Sequence, residues 1–237
     1  MRKIVIAALL AAATAATSYG QEDKKLTVDV GADLVSSYVW RGMYTAGVSV
    51  QPSLSLSAYG VTLGAWGSTD VTAKSKEVDF ALFYEVKGLS IGVTDYWWSG
   101  EDSSFFTTRG SHFFEASLSY TLPIEKFPLT LGVNAMLWGD GDKSDDGKQR
   151  YSTYFTASFP FTVKDVECEV GVGISPNKGG LYNEKDGVNP AFSKMAAISA
   201  RATKKLHLSE KFELPVFAEL ILSPAQDNAF LVFGLRF

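Results

Sequence analysis

The last nine residues, from Ala229 to Phe237, alternate without interruption and stop on an aromatic side chain. Ala229, Leu231, Phe233, Leu235 and Phe237 occupy one face of a strand, and Phe230, Val232, Gly234 and Arg236 the other. Terminal residues ordinarily fray in water, so an apolar final strand with no polar tail requires a place to sit. Two architectures supply one: the last strand of a soluble sandwich, or the closing strand of a barrel in a lipid bilayer.

The same period of two recurs along the chain. Val28, Val30, Ala32 and Leu34 oppose Asp29, Gly31 and Asp33, in a segment read as one strand from Leu26 to Trp40. Leu54, Leu56 and Ala58 oppose Ser53, Ser55 and Ser57; Val78, Phe80, Leu82, Tyr84 and Val86 oppose Asp79, Ala81, Phe83 and Glu85. In the second half Phe114, Ala116, Leu118 and Tyr120 oppose Glu115, Ser117 and Ser119, and Val166, Cys168, Val170 and Val172 oppose Glu167, Glu169 and Gly171. Helical spacing would scatter these residues around a cylinder, whereas a two-residue period places each set on one face. The pattern predicts about twelve strands, an even number suited to an all-β, antiparallel, up-and-down transmembrane barrel with both termini periplasmic.

At the other end, Arg2 and Lys3 precede the apolar run Ile4 to Ala13 and then small residues up to Gly20, the order of a secretory signal. Residues 1–20 are therefore read as a cleaved signal and 21–237 as one barrel domain. The run is shorter than the roughly 20 residues of a spanning helix, and no later segment replaces it. The net charge of −4 becomes more negative without Arg2 and Lys3, which argues against a nucleic-acid partner. A single cysteine, Cys168, excludes an internal disulfide.

Connection length sorts the loops. Short turns fall near Gly60, Gly88, Pro123 to Pro128, Lys164-Asp165 and Lys204 to Lys211. Longer ones lie at Met43 to Gly47, Val71 to Glu77, Ser99 to Ser111, Gly139 to Arg150 and Ser175 to Ser193, with Pro224 to Asp227 last. Barrels of this class keep short turns in the periplasm and long loops outside, and a sandwich has no reason to do so. The final strand resembles the closing strand of Gram-negative outer-membrane barrels. That resemblance implies outer-membrane lipid as the surroundings and an assembly signal at Phe237, read by the barrel-assembly machinery.

With the apolar face toward lipid, the charged face lines the lumen: Asp29, Asp33, Asp79, Glu85, Glu115, Glu167, Glu169, Glu213 and Glu219 against Arg41, Arg201 and Arg236. An acidic excess in a narrow tube attracts cations, which predicts a porin-like path for small solutes. The alternative is that these groups pair with one another and pack a sealed barrel, a scaffold or an adhesin that binds through its outer loops. Tyr38, Trp40, Trp66, Tyr96, Trp97, Trp98, Trp138 and Tyr151 fall at the external strand ends and are expected to form an interfacial girdle. A sugar-stacking platform at Tyr96 to Trp98 beside Phe105 and Phe106 is the competing reading.

The segment Ser36-Ser37-Tyr38-Val39-Trp40-Arg41-Gly42, followed by Val50-Gln51-Pro52, resembles the signature of the TorF-type or Gcw-chp group of bacterial outer-membrane proteins. The resemblance covers about the first quarter of the barrel and implies a signal peptide, a single barrel and porin-like roles. In that group Phe usually precedes the Arg and Pro-Ala-x-Gln follows, whereas this chain has Trp40 and the order Val50-Gln51-Pro52.

Enzymatic chemistry on such a barrel needs a histidine oriented by a polar partner beside a serine or an activated water. Only His112 and His207 are present, and the His-x-Ser spacing of outer-membrane phospholipases fails because Phe114 stands in that place. Asp140, Asp142, Asp145 and Asp146 lack the spacing of a calcium loop and are read as a solvated loop. Neither a catalytic role, a metal site nor a cofactor is expected.

Overall fold

A computed structural model describes residues 26–99, 104–106, 111–176, 181–182, 195–210 and 212–237. The signal sequence read at 1–20, and parts of the loops at 99–111 and 175–193, lie outside the described residues. The described residues form fourteen strands in order: β1 (Thr27–Val35), β2 (Tyr38–Trp40), β3 (Met43–Ala46), β4 (Ser49–Ala58), β5 (Val61–Asp70), β6 (Lys76–Val86) and β7 (Leu89–Trp98), then β8 (His112–Thr121), β9 (Thr130–Trp138), β10 (Thr153–Val163), β11 (Val166–Ile174), β12 (Met195–Ser209), β13 (Phe212–Ser223) and β14 (Asn228–Arg236). Twelve of them form a closed antiparallel barrel, with β1 paired to β4 on one side and to β14 on the other; β2 and β3 form a separate hairpin.

The alternation read from sequence becomes an inside and an outside. Val30, Leu54, Leu63, Phe80, Ile91, Leu118, Phe155, Val170, Leu220, Leu231 and Phe233 all point outward and are exposed, Val30 by 78% and Leu231 by 57%. Such a continuous apolar exterior is stable only against lipid, and a closed sheet is the one β arrangement that leaves no backbone edge unpaired there. The protein is an outer-membrane-type transmembrane barrel.

Tight turns follow from residues that accept a positive φ. Tyr59-Gly60 (φ 53° and 79°) and Lys87-Gly88 (φ 49° and 82°) are two-residue links with the primed-turn signature that suits twisted strands. Several sequence-based boundaries move. The strand expected over Leu26 to Trp40 stops at Val35, because Val35 pairs with Ser49 and the intervening residues leave the wall. The turn expected at Lys204 to Lys211 is mostly strand: β12 runs to Ser209, with Lys204 opposite Val216 and Lys205 opposite Pro215.

Leu220 lies on the lipid face, 45% exposed. Leu220→Arg is expected to destabilise the barrel by about 2–4 kcal/mol if the residue sits near the bilayer midplane, read by urea unfolding of protein refolded into vesicles.

Candidate functional site

The lumen is built around an inward-folded loop. Since β1 and β4 pair without a gap from Thr27↔Ser57 to Val35↔Ser49, residues 36–48 are extruded from the sheet and form the β2–β3 hairpin. Its turn is Arg41-Gly42, with φ of 50° and 82°, between the paired Trp40 and Met43. At Gly42 a Cβ atom would stand 2.1 Å from the Ala196 carbonyl oxygen and 2.9 Å from Ser223 Oγ. Only glycine allows the tip this approach to the wall at β12 and β13.

From that tip Arg41 reaches the wall at β8. Its two terminal nitrogens donate to Glu115 Oε1 and Oε2, each at 2.7 Å, and Nη1 also donates to the Tyr182 hydroxyl. Tyr96 donates to Glu115 Oε2 at 2.9 Å. The guanidinium lies over the rings of Trp40 and Tyr154 at 4.7 and 4.8 Å. Side-chain exposure is 8% for Arg41 and 0% for Glu115. A pair this dry is favourable only when its hydrogen bonds are nearly complete; the fork-to-fork geometry, the two tyrosines and the flanking rings meet that requirement.

Five residues expected in an interfacial girdle belong to this interior instead. Tyr38, Trp40 and Tyr96 are buried, and Trp66 and Trp98 pack with them. Tyr38 meets Trp66 at 5.6 Å, Trp40 meets Trp98 at 5.6 Å, and Tyr96 stacks on Trp98 at 5.4 Å. The physical reason is parity. Trp66, Tyr96 and Trp98 share the inner face of their strands with Asp79 and Glu77, their register partners, while Tyr38 and Trp40 ride on the hairpin. Trp97 has the opposite parity and lies near Phe105; Trp138 has the parity of buried Met136, but a bulge in the β8–β9 register sets it opposite Phe114, and Tyr151 is exposed.

The predicted inner charges divide into two sets. Arg201 binds Glu219 at 2.9 and 2.5 Å and lies over Phe217; Arg236 binds Asp33 at 2.8 and 2.7 Å across the closing seam. Lys205 pairs with Glu167 and His207 with Glu213 at the exposed periplasmic end. By contrast, Asp29 Oδ2, Glu169 Oε2 and both oxygens of Asp79 are buried without a hydrogen-bond partner among the described residues. Glu77 is in the same condition, and the sequence reading missed it by assigning Val71 to Glu77 to a loop. Its place two residues before Asp79, in phase with Ala81 and Phe83, was the available signal. Glu85 is exposed near the Lys87-Gly88 turn.

Many other inner positions are small and hydroxylic: Ser55 and Ser57 on β4, Thr62 on β5, Ser90 on β7, Ser117 and Ser119 on β8, Ser158 on β10 and Ser199 on β12; Phe83, over Gly92, and the buried cluster of Phe217 with Val35, Ala197, Ile221 and Val232 are apolar exceptions. The acidic loop is held by its own partners. Asp142 is buried and accepts from the Ser152 N–H and hydroxyl and from Gln149, so it is not solvated as expected from sequence. Asp140 pairs with Lys143 and Asp146 with Lys148, and the Lys148 and Ser144 contacts hold the Asp146 carboxyl below its usual range. Both His112 ring nitrogens are engaged, Nδ1 with Asp95 at 2.9 Å and Nε2 with the Phe105 carbonyl at 2.7 Å.

No family model and no curated protein matches the chain. Among solved structures it is similar to an outer-membrane channel from Pseudomonas putida F1, at 13% identity and TM-score 0.44, covering 93% of this chain and 97% of that one. It is also similar to a triple mutant of the Rh. blastica porin, at 13% identity and TM-score 0.39, over 90% and 73% of the two chains. A third likeness, to an engineered protein described for asymmetric conductivity, has 13% identity and TM-score 0.38; it covers 85% of this chain and 61% of that one.

Removing one partner of the Arg41–Glu115 pair leaves the other charge buried. Glu115→Gln is expected to cost about 3–5 kcal/mol, and the double variant Arg41→Met, Glu115→Gln to recover part of that loss, in a double-mutant cycle of urea unfolding. Gly42→Val is expected to expel the hairpin and make Arg41 a trypsin cleavage site in the folded barrel, which gel analysis after limited proteolysis would show.

Proposed function

We propose that the protein is a small porin-like channel of a Gram-negative outer membrane that prefers cations and small solutes, with the β2–β3 hairpin as the constriction at its external end. The observation that carries this reading is the contrast along the lumen. The hairpin, packed against the inward aromatics Trp66, Tyr96 and Trp98 of the wall, fills the external end, while many inner positions toward the periplasm bear only small hydroxyl side chains. Larger residues throughout would instead make a packed core.

The charge balance supports the cation preference. Each inner arginine is bound to a carboxylate, so the carboxylates left over, Asp29, Glu77, Asp79 and Glu169, set the sign of the field in the tube. The Ser36-to-Gly42 segment supports affiliation with the TorF-type group. Assembly is assigned to the barrel-assembly machinery through β14 and Phe237. A sealed scaffold is the second reading, and the buried Arg41–Glu115 pair with its aromatic packing favours it, because that arrangement closes the external end.

Single-channel recording in a planar bilayer separates the two. The channel reading expects small cation-selective openings that grow in Gly42→Val and lose selectivity in Asp29→Asn, Glu169→Gln. Silence from both the native protein and Gly42→Val, each shown to be folded, establishes the sealed scaffold instead.

A further inference from the structure

We propose that Glu77 and Asp79, together with the Tyr38 hydroxyl, form a binding site for a hard divalent cation between the hairpin and the barrel wall. Glu77 and Asp79 are separated by one residue on β6, so both carboxylates project from the same inner face with their Cα atoms about 7 Å apart. Glu77 is 3% exposed and Asp79 0%. All four carboxylate oxygens are buried without a hydrogen-bond partner among the described residues. The Tyr38 hydroxyl, directed at Glu77 from the hairpin and close to Asp79, is buried with no partner outside this cluster among the described residues. So is the hydroxyl of Thr94, which is fully buried and sits on the diagonal from Asp79, two residues from its register partner Tyr96.

Among the described residues no cation is bonded to this pair. Arg41, the cation of the hairpin, gives both terminal nitrogens to Glu115, and His112 is bound to Asp95 on the other face of the sheet. Two carboxylates in a dry site without a cation are strongly unfavourable. One shared proton would join the two carboxylates yet leave one negative charge uncompensated in the dry site. A divalent ion balances the two negative charges and uses every oxygen. The donors are carboxylate and hydroxyl oxygens with no sulfur or imidazole among them, the set suited to calcium or magnesium rather than to softer metals. Trp66 lies across the strand pair from Asp79, and Trp98 across from Glu77, so two indoles flank the site.

The inference rests on the channel reading only for the route by which an ion reaches the site; binding itself does not require conduction. The refolded protein in detergent micelles, its folding verified by heat-modifiable gel migration, is titrated with terbium. Expected are a saturable luminescence sensitised by the flanking tryptophans, displaced by calcium or magnesium, and weakened by more than about tenfold in Glu77→Gln and in Asp79→Asn. Tyr38→Phe keeps the ring, removes one donor and is expected to weaken binding less. Absence of a saturable signal from the folded protein overturns the site. So does a signal unchanged in the Glu77→Gln, Asp79→Asn double variant, which would place the terbium elsewhere, as at the acidic loop. Terbium binding without conductance leaves the site standing and removes the channel; conductance without terbium binding does the reverse.

Discussion

Closure of the backbone at β1 and β14 is the constraint on which the rest of the structure depends. Hydrocarbon offers no hydrogen bonds, so a spanning sheet must pair its first strand with its last. Here the register across that seam covers Asp33↔Arg236, Leu34↔Leu235 and Val35↔Gly234, much shorter than the pairing of β1 with β4. Bonds at both ends extend it. Phe237 exchanges backbone bonds with Ala32 at 3.2 and 2.9 Å, the Ser36 N–H donates to the Phe233 carbonyl, and the Ser36 hydroxyl accepts from the Phe233 N–H. The Arg236–Asp33 ion pair joins the same two strands from the inside. A register this brief makes the added bonds of Phe237, Ser36 and Arg236 a large part of what holds the seam.

Closure then dictates chemistry. An exterior committed to lipid must be apolar, so the polar half of every strand faces inward and has to be satisfied there. Where arginines are available from neighbouring or facing elements, the inner carboxylates form bidentate or near-bidentate pairs: Asp33 with Arg236, Glu219 with Arg201, Glu115 with Arg41. The last differs in kind, because Arg41 comes from an extruded loop rather than from a strand of the wall. Its pairing with Glu115 therefore joins two parts of the fold that no backbone hydrogen-bond ladder connects.

The amino-acid sequence made the barrel legible because a period of two has a single structural meaning when it recurs over a dozen segments with sorted loop lengths. Inner and outer faces followed for Asp79, Glu115, Glu169 and Glu219. What it hid was the difference between a strand that continues and one that folds inward: Tyr38 and Trp40 extend the pattern of β1, yet the pairing of Val35 with Ser49 excludes them from the wall. Aromatic residues near strand ends carry the same ambiguity. Trp97 and Trp98 are adjacent in sequence and lie on opposite faces, so composition at the rim says little and parity says much. Glu77 was lost in the polar run Lys74 to Glu77, which reads as a loop although its last two residues begin β6.

Parity also explains why unpaired acid collects beneath the hairpin. Glu77 and Asp79 occupy successive inner positions of one strand, and their cross-strand neighbours are Ser68, Trp66, Trp98 and Tyr96, none of which carries positive charge. Sheet geometry brings register partners and diagonals into contact, so a carboxylate surrounded by such neighbours has no cation within reach unless a loop delivers one. The hairpin that enters here delivers Arg41 to Glu115 and presents only a hydroxyl, Tyr38, to Glu77 and Asp79. A cation held between that hydroxyl and the two carboxylates touches both the hairpin and the wall. By linkage, whatever such an ion contributes to keeping the hairpin folded inward, the inward hairpin contributes equally to keeping the ion.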